Sequence, residues 1–184
     1  MKRSQRLHLP RLRGSGIVLC LASTLPSCSS EKKAMVVSSV DECVQKTTLD
    51  RQSCEGGYYK AMAESRRVGP RYPDQLGCES EFEHCEALTD GQWFPTMEGF
   101  LVPQDEAASY HYNHHPIFRY YRPFSQHHNS FMLADGSVVG DGSSRNVTVS
   151  DSRLTSTTHG PQRVTRGGFG AIARAKAGGS GWGA

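Results

Sequence analysis

Cysteine and histidine are the side chains of this sequence whose spacing points most directly to chemistry, and they fall into three groups. Cys28 ends the run Leu25-Pro26-Ser27-Cys28, with an aliphatic residue three positions before it and a small one immediately before it. This resembles a bacterial lipobox, in which the thiol becomes a thioether to diacylglycerol and added acyl chains make the anchorage durable. Pro26 departs from the usual small or short aliphatic residue. A plain signal peptide cut nearby is the alternative, and it would leave Cys28 an ordinary thiol. Cys20 is the weaker lipid site, with Leu19 before it and little apolar length upstream.

The second group is Cys43, Cys54, Cys78 and Cys85. An even number in a small exported segment reads as two disulfides, because such a segment buries too little core to hold itself. A zinc site fits less well: metal-binding pairs are close, as in C-x-x-C, and here the nearest pair is Cys78 and Cys85. The third group is histidine: His111, His114, His115, His127 and His128 are interleaved with Tyr110, Tyr112, Tyr120 and Tyr121. Neutral imidazole suits zinc, copper or nickel, so the segment 111–128 is a candidate for weak transition-metal binding. It lacks nearby carboxylates, and alternating His and Tyr also suits an exposed loop or short strand.

Local signals suggest the elements that must position these side chains. Residues 1–27 carry Lys2, Arg3, Arg6, Arg11 and Arg13 ahead of the apolar run, the layout of a secretory signal peptide. Ser39 followed by Asp41 and Glu42 marks a brief helix before Cys43. Asp50 or Ser53 can cap a helix running to about Arg67, stopped by Val68-Gly69-Pro70, with Cys54, Tyr58, Ala61, Met62 and Ser65 as its stripe. A further helix from about Asp74 places Cys78, Phe82 and Cys85 on one face. Tyr58, Met62 and Phe82 read as core, and Glu79, Glu81, Glu83 and Glu86 as a solvated face. If that last helix is unbroken, Cys78 and Cys85 lie roughly 10 Å apart along it, beyond disulfide reach. A hairpin near Gly69-Pro70 then favours Cys54 with Cys85 and Cys43 with Cys78, although a turn before Cys85 reopens the local pairings. Asp135-Gly136, between Ser130–Ala134 and Ser137–Val139, reads as the turn of a β-hairpin.

Composition limits what these elements can build. The chain has 184 residues, 36% of them hydrophobic, and a mean hydropathy of −0.53. No apolar run approaches the roughly 20 residues of a membrane-spanning helix. The formal charge is +3 with 21 basic and 18 acidic residues, and the five basic residues of the leader reverse its sign on removal. The remainder is bipolar, acidic over 31–106 and basic over 107–184, a poor match to a nucleic-acid binder. From Asp141 onward Gly, Ser and Thr dominate, a composition that reads as a flexible tether. Asn146-Val147-Thr148 matches a glycosylation sequon, incidental at a bacterial address. There is no Gly-rich phosphate loop, no Gly-x-Ser-x-Gly and no nucleophile beside an ordered base, so an enzyme is not expected.

Several motifs then occur in a telling order. Asp41-Glu42-Cys43, Cys54 with Tyr59 and Ala63-Glu64, Pro70-Arg71-Tyr72, and Cys78-Glu79-Ser80-Glu81-Phe82 with Cys85 are followed by Trp93-Phe94-Pro95-Thr96-Met97-Glu98-Gly99-Phe100. Pro116-Ile117-Phe118, Phe131 to Gly140 and Val164-Thr165-Arg166-Gly167-Gly168-Phe169-Gly170 complete the series. The order resembles the YgiB type of uncharacterised bacterial lipoproteins over most of residues 28–170. That resemblance implies an envelope lipoprotein of unknown biochemical role and supplies no catalytic residue.

Together these readings predict a small α-rich, disulfide-stabilised head with one β-hairpin and a long disordered Gly/Ser/Thr-rich C-terminal tail. The expected divisions are a signal peptide (1–27), a lipidated linker (28–38), a Cys-framed helical head (39–100), an aromatic and His-rich segment with the hairpin (101–140) and a flexible basic tail (141–184). The expected function is that of a lipid-anchored structural or interaction component of the cell envelope. Ser29 and Ser30 after Cys28 favour the outer membrane, and a soluble periplasmic protein is the alternative. The alternative function is a periplasmic metal-binding module on 111–128. No cofactor is expected beyond the lipid. The expected partners are the membrane, through the anchor, and an unknown envelope protein or anionic surface polymer, with no nucleic acid. Arg166, Gly167, Gly168, Phe169 and Gly170 are the candidate interaction motif of the tail.

Overall fold

Three side-chain caps start the helices where the sequence places them. In the computed structural model, which describes residues 30–104, 114–155, 160, 163–164 and 168–178, strand β1 (Glu31–Val37) leads into helix α1 (Val40–Lys46). The Ser39 hydroxyl accepts from the Glu42 N–H at 3.1 Å, while the Glu42 carboxylate accepts from the Ser38 N–H at 2.7 Å, a reciprocal cap. Asp50 caps α2 (Arg51–Val68) through the Ser53 N–H, and Asp74 caps α3 (Gln75–Glu79) through the Gly77 N–H, both at 2.7 Å. The chain continues through β2 (Cys85–Ala87), β3 (Trp93–Pro95), β4 (Gly99–Pro103), β5 (Pro116–Tyr120), β6 (Ser130–Met132), β7 (Val138–Asp141) and β8 (Asn146–Ser150). Two helices, α4 (Asp151–Thr155) and α5 (Phe169–Gly178), follow.

The architecture is mainly β, which corrects the expected α-rich head. Six antiparallel strands pair in the order β7-β6-β5-β4-β1-β8, and β7 lies against β8, so the sheet curls into a nearly closed barrel. Alternation decides which side chains fill it. Ala34, Val36, Leu101, Ile117, Phe131, Leu133, Val139, Val147 and Val149 point inward and form one core with Leu154 of α4, which stops one end. At the other end Arg119 and Arg145 both reach Glu98 and both stack over Phe131. The interior is packed with side chains.

The outward faces of the same strands carry two further cores. Val37, Phe100 and Val102 pack with Cys43, Cys54 and Ala61 of the α1–α2 layer. Phe118, Tyr120 and Met132 pack with Val68, Tyr72, Phe82 and Phe169. The buried stripe of α2 is Cys54, Gly57, Ala61, Ser65 and Val68, leaving Tyr58 and Met62 half-buried at its edge. Gly57 permits this rotation: the His114 ring packs so close that an added Cβ would stand 3.0 Å from its Nδ1.

Four other expectations are corrected. Residues 31–37 are not linker but an interior strand, paired on both sides by β4 and β8. The helix from Asp74 ends at Glu79, and the chain turns before Cys85, which begins β2. That turn removes the distance argument against a local bridge. The disulfides are Cys43–Cys54 and Cys78–Cys85, with Cα separations of 5.9 and 6.3 Å, not the cross-pairing favoured by an unbroken helix. The disordered tail is overturned as well. Asn146–Ser150 is a barrel strand, Leu154 and Phe169 are fully buried, and α5 packs on the outer core. Ser and Thr in β8 occupy the outward positions while Val147 and Val149 fill the interior, so a polar composition concealed a half-buried strand. The hairpin forms between β6 and β7, with Gly136 at φ +84°, and it is part of the larger sheet. Among the described residues no helix is long and apolar enough to cross a membrane. The leader, Cys20, Cys28, His111, Arg166 and Gly167 lie outside the described residues.

Candidate functional site

Between Cys78 and Cys85 the chain leaves α3 and turns back to β2, and the disulfide closes the loop. That loop turns Glu81 and Phe82 inward. Phe82 sits at the centre of an aromatic cluster, with ring centroids 5.6 Å from Phe169, 5.7 Å from Tyr120, 6.2 Å from Tyr72 and 6.4 Å from Phe118. These edge and tilted contacts add to the burial of large apolar rings.

Glu81 is only 2% exposed, which corrects its place on a solvated face. A buried carboxylate requires donors, and four converge here. Oε2 accepts from the Tyr72 hydroxyl and the Phe169 N–H, each at 2.6 Å; Oε1 accepts from the Tyr120 hydroxyl at 2.9 Å and Arg122 Nη1 at 3.1 Å. The backbone closes around the same point, with the Tyr121 N–H on the Glu81 carbonyl at 2.7 Å. Each carboxylate oxygen therefore has two donors, its ordinary capacity. Burial, then the Glu81 charge, raises both phenols: Tyr120 is pushed up to about 12, and Tyr72 is driven strongly upward. Both stay protonated at neutral pH, as donors to Glu81.

The C-terminal motif is what this carboxylate holds. Gly168 has φ +73°, and an added Cβ would stand 2.0 Å from Glu81 Oε1. Only glycine combines that left-handed backbone with so close an approach. Phe169 inserts its ring as its N–H meets the carboxylate at the start of α5, where negative charge is favoured. At Gly170 an added Cβ would lie 2.4 Å from the Tyr120 hydroxyl. Upstream, the Val164 N–H donates to the Arg71 carbonyl at 2.9 Å. Of the candidate tail motif, Gly168, Phe169 and Gly170 thus dock on the head.

Two clefts flank Arg122. The larger, about 550 Å³, is lined by residues including Tyr72, Asp74, Ser80, Glu81, Arg122 and Gly168. The smaller, about 360 Å³, is lined by Tyr120, Arg122, Pro123, Phe124, Ser125, Gly170 and Arg174.

The histidines are not brought together. His114 and His115 precede β5, whereas His127 and His128 lie in the loop that leaves it, at the opposite end of the strand. His115 is buried with Nε2 3.3 Å from the Leu154 carbonyl, and His114 lies against Gly57 and Phe100. Burial lowers the pKa of both. His128 Nδ1 is 2.8 Å from the Tyr121 carbonyl. Among the described residues no group of three His, Cys, Asp or Glu side chains is arranged to hold a metal ion.

Glu81, Tyr72, Tyr120 and Arg122 are the residues that sequence reasoning left out of the site. The available signal was the motif order, since the motifs that contain Tyr72, Glu81 and Phe169 each supply one residue to the same site.

The family described as "Protein of unknown function (DUF1190)" matches residues 31–180. The UPF0441 protein of Sodalis glossinidius (strain morsitans) is 25% identical over 185 residues, covering 91% of this chain and 85% of its own length. That of Serratia proteamaculans (strain 568) is 22% identical over 198 residues, covering 92% and 90%. The UPF0441 protein of Pectobacterium carotovorum subsp. carotovorum (strain PC1) is 21% identical over 188 residues, covering 92% and 83%. No solved structure matches the chain.

Proposed function

The chain belongs to the DUF1190 family of uncharacterised bacterial proteins, and on that footing we propose that it is a lipid-anchored component of the cell envelope with a structural or interaction role. The observation that carries this reading is the position of Cys28, at the end of a basic and apolar leader and three residues before the first strand of a barrel domain. Cleavage before Cys28 would deliver the whole domain and leave almost no spacer between lipid and fold. Two disulfides support an oxidising compartment, since such bridges persist outside the cytoplasm. Ser29 and Ser30 favour the outer membrane in a host with two. The packed barrel interior and the clefts of the outer layer support a role exercised at the surface.

Mass spectrometry of the mature N-terminus tests the reading. The expected product begins at Cys28 carrying diacylglycerol and an added acyl chain, and Cys28→Ser should release the protein from membranes or stall its processing. An unmodified terminus at any other residue overturns the lipoprotein reading.

A further inference from the structure

We propose that the smaller cleft, walled by Arg122 and Arg174 and rimmed by Phe124, is a docking site for an acidic peptide segment of a partner protein. The proposal rests on the interaction role inferred above, and only its orientation argument uses the anchor. Charge is the first ground. Arg122 and Arg174 line the cleft with Tyr120, Ser125 and Gly170, and among the described residues no acid lines it. The nearby Glu81 is buried and holds four donors. Its bond to Arg122 Nη1 orients a guanidinium whose side chain is still 48% exposed, so a planar cation is held in place before a ligand arrives.

Phe124 is the second ground. It is fully exposed and has φ +60°, a left-handed conformation uncommon for a bulky side chain. The turn that imposes it, with the Ser125 N–H on the Arg122 carbonyl, holds an aromatic ring in water at the edge of a cationic cleft. Aromatic side chains, phenylalanine included, and arginine are both enriched at protein interfaces relative to the rest of the surface. An acidic residue beside an apolar one matches both.

Orientation separates a peptide from a lipid surface. β1 and β5 are each antiparallel to β4, so they run in the same direction, and Tyr120 stands at the end of the barrel away from Ser30. The seven residues of β1 put roughly 23 Å between those ends at a rise of about 3.3 Å per residue. A domain tethered just before Ser30 would turn this cleft away from its own membrane.

The test uses oxidised, mature full-length protein in detergent on an array of hexapeptides carrying Asp or Glu beside Leu, Ile or Phe, matched by an array with Asn and Gln. Inorganic phosphate and phosphatidylglycerol vesicles serve as further probes. Acidic peptides should bind at least about tenfold more tightly than their amide counterparts, and Arg174→Gln should remove about five- to tenfold of that affinity. Phe124→Ser should weaken peptide binding and leave phosphate unaffected. Arg122 is spared because it also holds Glu81. Equal binding of acidic and amide arrays, or wild-type binding by both variants, overturns the proposal. So does binding of phosphate or vesicles alone, which would make the cleft a simple anion or lipid site. An unmodified N-terminus with peptide binding intact would remove the anchor and leave the cleft standing.

Discussion

The interior of the barrel and the layer around Glu81 are both buried, yet opposite chemistry holds them. Inside, residues from all six strands and Leu154 meet through apolar contact, which is non-directional and tolerant of apolar swaps that conserve volume. Outside, one carboxylate fixes two phenols, a guanidinium and a backbone N–H, the last from a residue 88 positions away. A directional hub of this kind tolerates less, because removing its one acceptor leaves several donors buried without a partner. The contrast ranks the substitutions that should matter.

The largest effect is expected from Glu81→Leu. It strands the Tyr72 and Tyr120 hydroxyls and the Phe169 N–H, and breaking a buried charged network typically costs ~3–5 kcal/mol. Set against a usual total of about 5–15 kcal/mol, this is a large fraction of the stability of the domain. Urea unfolding should show it, with protease cuts appearing between Val164 and Arg174 before the barrel opens. A loss below about 1 kcal/mol, within the range of a single net hydrogen bond, would reduce the hub to an ordinary surface contact.

Phe169→Ala comes next, at about 3–5 kcal/mol for a deleted core aromatic, whereas Ile117→Val inside the barrel should cost only about 0.5–1.5 kcal/mol. Gly168→Ala sharpens the same point without removing any contact. Its methyl would collide with Glu81 and require a left-handed backbone, and such a conformation costs roughly 1–2 kcal/mol before the collision is counted. Protection of the residue-169 amide from hydrogen exchange should fall in Phe169→Ala and in Gly168→Ala, and unchanged protection in Gly168→Ala would mean that glycine is not required for the bond to Glu81.

The two regions were unequally legible in the sequence. Ser39, Asp50 and Asp74 act within three residues of themselves, so the three caps could be read directly. The barrel was hidden by strands of three to seven residues, by β4 being buried at every position, and by the Ser and Thr of β8. Glu81 was hidden more thoroughly. In Glu79-Ser80-Glu81-Phe82-Glu83 nothing local separates the buried acid from the solvated ones, because its donors come from Tyr72, Tyr120, Arg122 and Phe169. The order of motifs identified the family, but it did not say that these segments touch: with the tail read as a tether, a contact spanning 88 positions was illegible.

The disulfides probe the two outer cores separately. Loops of 11 and 7 residues restrict the unfolded chain by roughly 2–3 kcal/mol each on the loop-entropy account. Cys43→Ala with Cys54→Ala should loosen α1 on α2, while Cys78→Ala with Cys85→Ala should free the loop that carries Glu81. Hydrogen exchange should therefore report lost protection at Phe169 only in the second pair. Equal loss at Phe169 in both would show that the two outer cores unfold as one unit.

The smallest effect is expected from pH, and it belongs to the histidines at the other end of β5. Burial lowers the pKa of His114, helped by nearby Lys60 and His115. It also lowers that of His115, against the opposing influence of the Leu154 carbonyl, Glu64 and Asp135. A histidine depressed in the folded state binds protons more readily once unfolded, so its neutral form stabilises the fold fully above the ordinary value of 6.5. That contribution is lost as pH falls through 6.5 toward the lowered native values. Thermal unfolding between pH 7.5 and 5 should show declining stability, and His115→Gln should flatten part of the slope. The phenols of the Glu81 hub, raised in the folded state, act in the other direction. They contribute fully below the ordinary value of 10, and this is lost as pH rises toward about 12. A variant lacking Tyr120 should keep the acid-side slope and lose part of the alkaline one, so the two limbs of the profile report the two regions independently.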